Sequence, residues 1–210
     1  MDILRAIGNT SLVQLRKVVP PNCAQVLVKL EWENPTGSLK DRMAQAVISR
    51  AEAASRLKRG DTVIEYTGGS TGASLALVCA ARGYPLQIVS SDAFSKDKLD
   101  QMAALGAKLT LVPSEGGLTT KKLILDMIET ARALSQKPNT CWIDQLNNKD
   151  SIAGYHSLGE EIWSQTKGEP TPSFTAWAPP LPPAGSLKCS SARNQASKSS
   201  PSKKCMLSGT

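Results

Sequence analysis

Short apolar runs alternate along the first 168 residues with longer segments in which apolar side chains recur with a helical period. Such runs are typical of buried strands, and such segments are typical of helices that pack on a sheet. The runs predict strands at Gln25–Leu30, Thr62–Tyr66, Leu86–Ser90, Lys108–Val112 and Thr140–Asp144. The segments predict helices at Lys40–Arg56, Thr71–Arg82, Lys96–Leu105, Thr119–Ser135 and Ser151–Thr166. This alternation indicates a three-layer α/β fold, a mostly parallel sheet with helices on both faces.

The pattern ends near Gly168, where the composition changes. Residues 170–210 contain seven prolines and nine serines but no valine or isoleucine. A segment with so few aliphatic side chains cannot bury enough apolar surface to offset the chain entropy that folding removes. We therefore predict a folded domain over residues 1–168 and a disordered basic tail, rich in proline and serine, over residues 169–210.

The net charge of +7 belongs mainly to the predicted tail. Residues 170–210 contain five of the 25 Lys and Arg residues and none of the 18 Asp and Glu residues, which leaves +2 for residues 1–169. A nearly neutral domain without a basic, aromatic-rich stripe argues against a nucleic-acid partner. No apolar run approaches the ~18 residues of a membrane helix, and no signal-type apolar core follows the N-terminus. We therefore expect a cytoplasmic protein with no membrane partner.

The cysteines and the histidine predict neither a disulfide framework nor a metal site. The five cysteines show no CxxC spacing, and His156 is the only histidine in the sequence. An odd number of separated cysteines indicates free thiols. One histidine without paired cysteines does not supply a zinc ligand set.

The first candidate for chemistry is the turn Asn34–Ser38, which leads into the helix predicted to begin at Lys40. Ser38 and Asp41 have the Ser-x-x-acid spacing of a capping box, which places Lys40 in the first helical turn. The positive end of the helix dipole and the neighbouring Arg42 are expected to lower the pKa of Lys40. Such a lysine is either an ordinary solvated side chain or a nucleophile that forms a Schiff base with a carbonyl group.

The second candidate is the loop that follows the predicted strand Thr62–Tyr66 and opens the next helix. It reads Thr67-Gly68-Gly69-Ser70-Thr71-Gly72. The glycines allow a ligand to approach the backbone, and the free N–H groups of a helix N-terminus with the nearby hydroxyls form a cradle for a phosphate or a carboxylate. The loop lacks the lysine of a P-loop and the G-x-G-x-x-G spacing, so it matches neither nucleotide fingerprint.

Several motifs resemble, in order and spacing, those of the cysteine synthase (O-acetylserine sulfhydrylase) and cystathionine β-synthase family. Ile7–Leu15 resembles the family's IGNTPLV-L start, and Asn34–Arg42 (NPTGSLKDR) resembles its NP-GS-KDR segment. Thr67–Gly72 is similar to its TSGNTG loop, Gln145–Asn148 to its Q-FxNP element, and Gly159–Trp163 to its GPEIW segment. The resemblance covers most of the predicted domain and corresponds to the N-terminal half of the family fold.

This resemblance implies a fold type II enzyme, with the tryptophan synthase β-like fold, that uses pyridoxal 5'-phosphate. Lys40 is then the catalytic residue, which holds the cofactor as a Schiff base and later takes the substrate α-proton, and Ser70 is a second cofactor contact. The implied reaction is β-replacement, in which an activated serine such as O-acetylserine reacts with sulfide to give cysteine. The implied assembly is a homodimer once the fold is completed. The implied binding residues for this small amino-acid substrate are Thr67, Gly68, Gly69, Ser70, Thr71 and Gln145.

Two departures from the family pattern leave alternatives open. Ser70 stands where the family usually has an asparagine that hydrogen-bonds the cofactor, and a serine hydroxyl is shorter and has fewer hydrogen-bonding groups. Residues 170–210 contain no Gly-Thr-rich run like the one with which the family binds the cofactor phosphate. The chain is therefore either a cysteine synthase-like enzyme or a truncated, catalytically silent relative. A cystathionine β-synthase-type activity is a further alternative, whereas Ser38–Arg42 departs from the dehydratase pattern Ser-Phe-Lys-x-Arg-Gly.

Overall fold

The computed structural model describes residues 2–19 and 25–168, and the predicted tail lies outside these residues. The described residues form two compact units. The first comprises residues 2–10 and 31–158, and the second comprises residues 11–19, 25–30 and 159–168. The division of the chain into a domain over 1–168 and a tail over 169–210 stays a prediction.

The elements follow one another as the alternation of patterns predicts. The strands are β1 (Leu12–Leu15), β2 (Val26–Lys29), β3 (Thr62–Tyr66), β4 (Leu86–Ser91), β5 (Lys108–Val112) and β6 (Thr140–Trp142). The helices are α1 (Lys40–Ala53), α2 (Ser70–Arg82), α3 (Lys96–Ala104), α4 (Lys121–Ser135), α5 (Lys149–Ala153) and α6 (His156–Gln165). Short 3-10 helices cover Ile3–Ala6 and Glu31–Glu33.

The first unit is built on a parallel sheet with the strand order β5-β4-β3-β6. Successive residues of the central strand β3 point to opposite faces, so Val63 and Ile64 belong to different cores. The face of Val63 packs against α1, α2 and α3 through side chains such as Leu75 and Met102. The face of Ile64 packs against α4 through Met127 and its neighbours. Helices therefore cover both faces, which confirms the predicted three-layer α/β class.

The second unit contains a strand that the sequence pattern does not predict. In this unit β1 pairs antiparallel with β2, and Leu12 lies opposite Lys29. The two central residues of β1, Val13 and Gln14, are exposed, so no buried run marks this strand in the sequence. The strand is defined by its partner rather than by its own composition.

Several predicted boundaries are wrong. The helix predicted over Lys40–Arg56 ends at Ala53, and the helix predicted over Thr119–Ser135 begins at Lys121. The strand predicted over Thr140–Asp144 ends at Trp142, and Asp144 has a positive φ of 49°, which an extended strand does not accommodate. The single helix predicted over Ser151–Thr166 is two helices, α5 and α6, with Gly154 and Tyr155 between them. The break lies where the backbone at Gly154 meets the first turns of α1.

Candidate active site

The turn before α1 is anchored by Asn34, whose side chain is buried. Its side-chain oxygen accepts a hydrogen bond from the Gly8 N–H at 2.8 Å, and its amide donates to the Glu31 backbone carbonyl at 2.8 Å. Gly37 closes the turn by donating its N–H to the Asn34 carbonyl at 2.7 Å. Its φ is +75°, where a larger side chain is strained. The turn leads directly into α1, in which Lys40 is the first residue.

Asp41 does not form the predicted capping box with Ser38. Its carboxylate instead accepts hydrogen bonds from the Thr36 N–H at 2.8 Å, from the Thr36 hydroxyl, and from the Ser74 hydroxyl at 2.6 Å. Leu39 is the N-cap residue, and the Ser38 hydroxyl accepts the Lys40 N–H at 3.1 Å rather than the Asp41 N–H, which a capping box requires. Because Ser74 lies on α2, the fully buried Asp41 joins the two helices that begin at Lys40 and at Ser70.

Arg42 is buried and pairs with Glu31, and contrary to the prediction from the sequence it does not cause the lowered pKa of Lys40. Its Nε donates to Glu31 Oε2 at 2.8 Å and its Nη2 donates to Glu31 Oε1 at 2.9 Å, a bidentate pair. Burial raises the pKa of Glu31, but the hydrogen bonds from Arg42, Thr10 and Asn34 outweigh it and leave this pKa below its ordinary value. The charge of Arg42 is thereby offset by the carboxylate of Glu31.

The Lys40 side chain is half-buried beside a phenol. Its Nζ donates a hydrogen bond to the Tyr155 hydroxyl oxygen at 3.2 Å and lies 5.6 Å from the centre of the Tyr155 ring. Burial lowers the pKa of Lys40, so the direction of the predicted shift is correct. Its cause is the loss of solvent around the amine rather than the charge of Arg42. The role of Lys40 as a nucleophile stays a prediction.

The glycine-rich loop has the shape that the sequence indicates. Thr67 is buried and its hydroxyl accepts the Gly69 N–H at 3.2 Å. The next helix, α2, begins at Ser70, and its N-cap Gly69 offers no side-chain hydrogen bond to the first N–H groups. An aromatic ring lies against the loop, since a Cβ on Gly68 would lie 2.2 Å from Cδ1 of Phe94. At this end of α2 the Gly69 N–H donates to Thr67 Oγ1 and the Gly72 N–H donates to the Gly69 carbonyl at 3.0 Å. The first N–H groups of a helix have no acceptor within the helix, so an anion cradle here stays a prediction.

Gln145 reaches the same loop from the end of β6. The Thr71 hydroxyl donates to Gln145 Oε1 at 2.7 Å, so two of the predicted binding residues lie in direct contact. The backbone N–H of Gln145 donates to Glu65 Oε2 at 3.1 Å. Glu65 is fully buried, and burial raises its pKa to about 8 despite the opposing hydrogen bonds from the Gln145 and Tyr66 N–H groups.

The structure thus brings together part of the predicted set. Thr71 and Gln145 touch, and Asp41 joins the helix of Lys40 to the helix that Ser70 begins. Within residues 2–19 and 25–168, the amine of Lys40 forms its hydrogen bond with Tyr155 rather than with Ser70.

Sequence reasoning missed two residues that border this site, Glu65 and Tyr155. Glu65 does leave a signal, an acidic residue inside an apolar run just before a glycine loop. Tyr155 leaves no comparable signal, because its place beside Lys40 depends on the break between α5 and α6.

Two expectations concern metal and membrane. Within the described ranges no cluster of three or more His, Cys, Asp or Glu side chains could hold a metal ion. The same ranges contain no helix long and apolar enough to cross a membrane. Cys79 and Cys141 are buried free thiols.

Comparison with known proteins agrees with this geometry. Cysteine synthase B of Salmonella typhimurium is 40% identical over 168 residues, which are 80% of this chain and 54% of that protein. The crystal structure of O-ureido-L-serine synthase superposes with a TM-score of 0.72 at 36% identity, over 80% of this chain and 52% of that one. Cysteine synthase from Entamoeba histolytica has a TM-score of 0.72 at 34% identity, over 80% and 49%.

The chain spans about half the length of the curated relatives it matches. Over that part of the relatives, both the fold and the sequence of this chain match cysteine synthases, in agreement with the motifs. The model of one family, described as pyridoxal-phosphate dependent enzymes, matches residues 3–178. The chain belongs to the family of pyridoxal-phosphate dependent enzymes and is similar to its cysteine synthases.

Proposed function

We propose that this chain contributes the lysine-bearing part of an active site for β-replacement on an O-activated serine such as O-acetylserine, with sulfide as the nucleophile. The observation that carries the proposal is the half-buried Lys40 amine with a lowered pKa, at the start of a helix that Asp41 ties to the helix of the glycine loop. The similarity to cysteine synthases supports the substrate class.

The residues present fit the aldehyde of the cofactor and the carboxylate of the substrate. A primary amine whose pKa is lowered by burial is suited to condense with an aldehyde, and a helix N-terminus with free N–H groups is suited to a carboxylate. When bound, pyridoxal 5'-phosphate supplies an electron sink for cleavage of bonds at the substrate α-carbon.

The remaining roles, anchoring the aldehyde, accepting a proton and orienting the substrate, belong to residues of this chain. Lys40 anchors the aldehyde and, once released from it, accepts a proton at Nζ. Thr71 and Gln145, which already touch at 2.7 Å, orient the substrate carboxylate on the loop. Ser70 offers a hydroxyl to the cofactor ring, and Thr67 holds the loop backbone through its bond with the Gly69 N–H.

Trapping the lysine tests this proposal. The purified protein is mixed with pyridoxal 5'-phosphate, reduced with borohydride, digested, and mapped by mass spectrometry. We expect a pyridoxyl adduct on the peptide that contains Lys40, and its loss in Lys40→Ala. Lys96→Ala is the matched control, because Lys96 pairs with Asp100 on an exposed helix surface and its removal leaves the Lys40 adduct unchanged. A protein without an adduct at Lys40 contradicts the proposal.

The main alternative is a family member that does not turn over substrate. The composition of residues 170–210, without a Gly-Thr-rich run, favours it. If the adduct forms at Lys40 but the protein makes no cysteine from O-acetylserine and sulfide, the result supports this alternative. If the protein makes cystathionine when homocysteine is added, the result supports cystathionine β-synthase-type chemistry. The homodimer and the cytoplasmic location belong to the proposal as well, and light scattering of the purified protein tests the former.

A further inference from the structure

The break between α5 and α6 places a glycine against the backbone of α1. A Cβ on Gly154 would lie 2.8 Å from the Met43 Cα and 2.9 Å from the Arg42 carbonyl oxygen. Neither backbone atom can move aside as a flexible side chain can. Only glycine therefore allows this close approach of the chain to the first turns of α1.

The residue after this glycine faces the Lys40 amine. The Tyr155 hydroxyl oxygen lies 3.2 Å from Lys40 Nζ, and the Tyr155 ring packs against the core that contains α1 and α2. Among the residues that the structure describes, this hydroxyl is the only hydrogen-bond partner of the amine. Burial, followed by the charge of Glu31, raises the pKa of Tyr155 to about 12, so the phenol keeps its proton at neutral pH.

The charged groups around this pair have partners of their own. Glu31 and Arg42 form the bidentate pair described above, and Arg42 Nη1 also lies 3.5 Å from the Ser157 hydroxyl. The carboxylate of Asp41 is held by Thr36 and Ser74. His156 is exposed. The neutral phenol is thus the group that directly contacts the amine.

We infer that Tyr155 is a positioning residue for Lys40, with Gly154 as the residue that lets the hydroxyl reach the amine. The hydroxyl holds Nζ in the orientation from which its lone pair attacks an aldehyde carbon, and it accepts a hydrogen bond from the ammonium form. The inference rests on the proposed function for the identity of the aldehyde, but the contact itself does not depend on it.

The condensation that this contact assists exchanges no net proton with the phenol. The nitrogen of the neutral amine bonds to the aldehyde carbon, and the aldehyde oxygen leaves as water with the two protons of that nitrogen. Borohydride then delivers hydride to the carbon of the resulting C=N bond, and the nitrogen takes a proton from water, which makes the bond permanent.

Tyr155→Phe separates orientation from protonation, because it removes the oxygen and keeps the ring. At pH 9, with pyridoxal 5'-phosphate and borohydride, we expect adduct formation at Lys40 to be about fivefold to tenfold slower, since one hydrogen bond no longer orients the amine. At pH 7, with formaldehyde and cyanoborohydride, we expect methylation of Lys40 to be faster. This small reagent needs little orientation, and the loss of the acceptor favours the neutral amine.

Opposite changes in the two rates are the signature of the inference, because simple loosening of the structure would change both rates in the same direction. Tyr84→Phe is the matched control, since its hydroxyl donates to Glu52 at 2.9 Å and its removal leaves both rates unchanged. Wild-type rates for Tyr155→Phe in both reactions overturn the inference and leave the proposed function intact. If wild-type protein forms no pyridoxyl adduct, the proposed function fails, and the methylation rate still decides the role of Tyr155.

Discussion

The carboxylate of Asp41 accepts a hydrogen bond from the Ser74 hydroxyl at 2.6 Å, a contact between residues 33 positions apart in the chain. Asp41 follows Lys40 on α1, and Ser74 lies in the second turn of α2, after the glycine loop. Both side chains are fully buried. The contact therefore fixes the start of the lysine helix relative to the loop that we propose for substrate binding.

Replacing Asp41 by alanine is expected to lower the free energy of unfolding by about 3 kcal/mol, because it leaves the buried donors of Thr36 and Ser74 without their acceptor. Ser74→Ala removes one of these bonds and is expected to cost about 1 kcal/mol. Urea denaturation measures both values. Ser49→Ala, which removes a hydroxyl bonded to Arg82 on the surface of α1, is the control. Equal, small effects of all three variants would contradict the role assigned to Asp41.

Because Glu65 is buried, we expect the free energy of unfolding to depend on pH. Its folded-state pKa of about 8 lies above the ordinary value of 4.5, so the folded protein holds an extra proton between these values. The free energy of unfolding therefore falls as the pH rises from about 4.5 to about 8 and changes no further above that, for a total on the order of 5 kcal/mol. Below pH 4.5 both states are protonated and this contribution is fully present.

Urea denaturation of wild-type protein and Glu65→Gln at pH 5, 7 and 9 measures this dependence. Glutamine cannot ionise, so the variant gains stability relative to the wild type as the pH rises. The difference between the two proteins removes the contributions of all other titrating groups. Parallel curves over this range would show that Glu65 keeps an ordinary pKa.

Gly68 is expected to tolerate no side chain while Phe94 is present. A methyl group at Gly68 would collide with the ring, so Gly68→Ala is expected to cost about 2 kcal/mol by thermal or chemical denaturation. Gly69→Ala is the neighbouring control, because no heavy atom lies within 4 Å of a Cβ there. In a Phe94→Ala background the cost of Gly68→Ala should largely disappear, and a cost that persists would mean that the ring is not its cause.

The pair formed by Arg42 and Glu31 is expected to need the planar guanidinium. Arg42→Lys keeps the charge but cannot donate to both carboxylate oxygens at once, so we expect a loss of about 2 kcal/mol in the free energy of unfolding. The same substitution at Arg132, which pairs with Glu129 on an exposed surface, should have no measurable effect. Similar results at both positions would indicate that the buried pair contributes no more than a surface pair.

The central strands β3 and β4 were predictable because they are almost entirely buried and therefore appear as apolar runs, and the edge strand β5 was predictable from its apolar residues although Lys108 and Leu111 are exposed. β3 and β5 begin and end at the predicted residues, Thr62–Tyr66 and Lys108–Val112. β1 escaped prediction because its middle residues are exposed, and its strand structure depends on pairing with β2. Local pattern therefore predicted the strands that carry apolar runs, whether central or at an edge, and missed β1, whose middle residues are exposed.

The candidate site was predictable only in part. The motif around Lys40 and the glycine loop identify residues whose chemistry is local, a lysine and a helix N-terminus. Asp41 accepts a hydrogen bond from Ser74, and Tyr155 accepts one from Lys40. Both contacts join segments that are distant in the sequence, so motif spacing could not predict them. The sequence spacing fits a capping box, and only the hydrogen bonds of Asp41 with Thr36 and Ser74 decide against it.

The order β5-β4-β3-β6 has a consequence for where a ligand can bind. After β3 the chain adds β4 and β5 on one side, then reverses and adds β6 on the other, so β3 and β6 flank a topological switch point. In open α/β sheets a crevice forms at the carboxyl ends of such a strand pair. Thr71 follows β3 and Gln145 follows β6, and their 2.7 Å contact joins the two loops at this switch point. The path of the backbone therefore sets the position of the proposed site, and we expect substitutions in the loops to change which molecule binds there without moving the place where it binds.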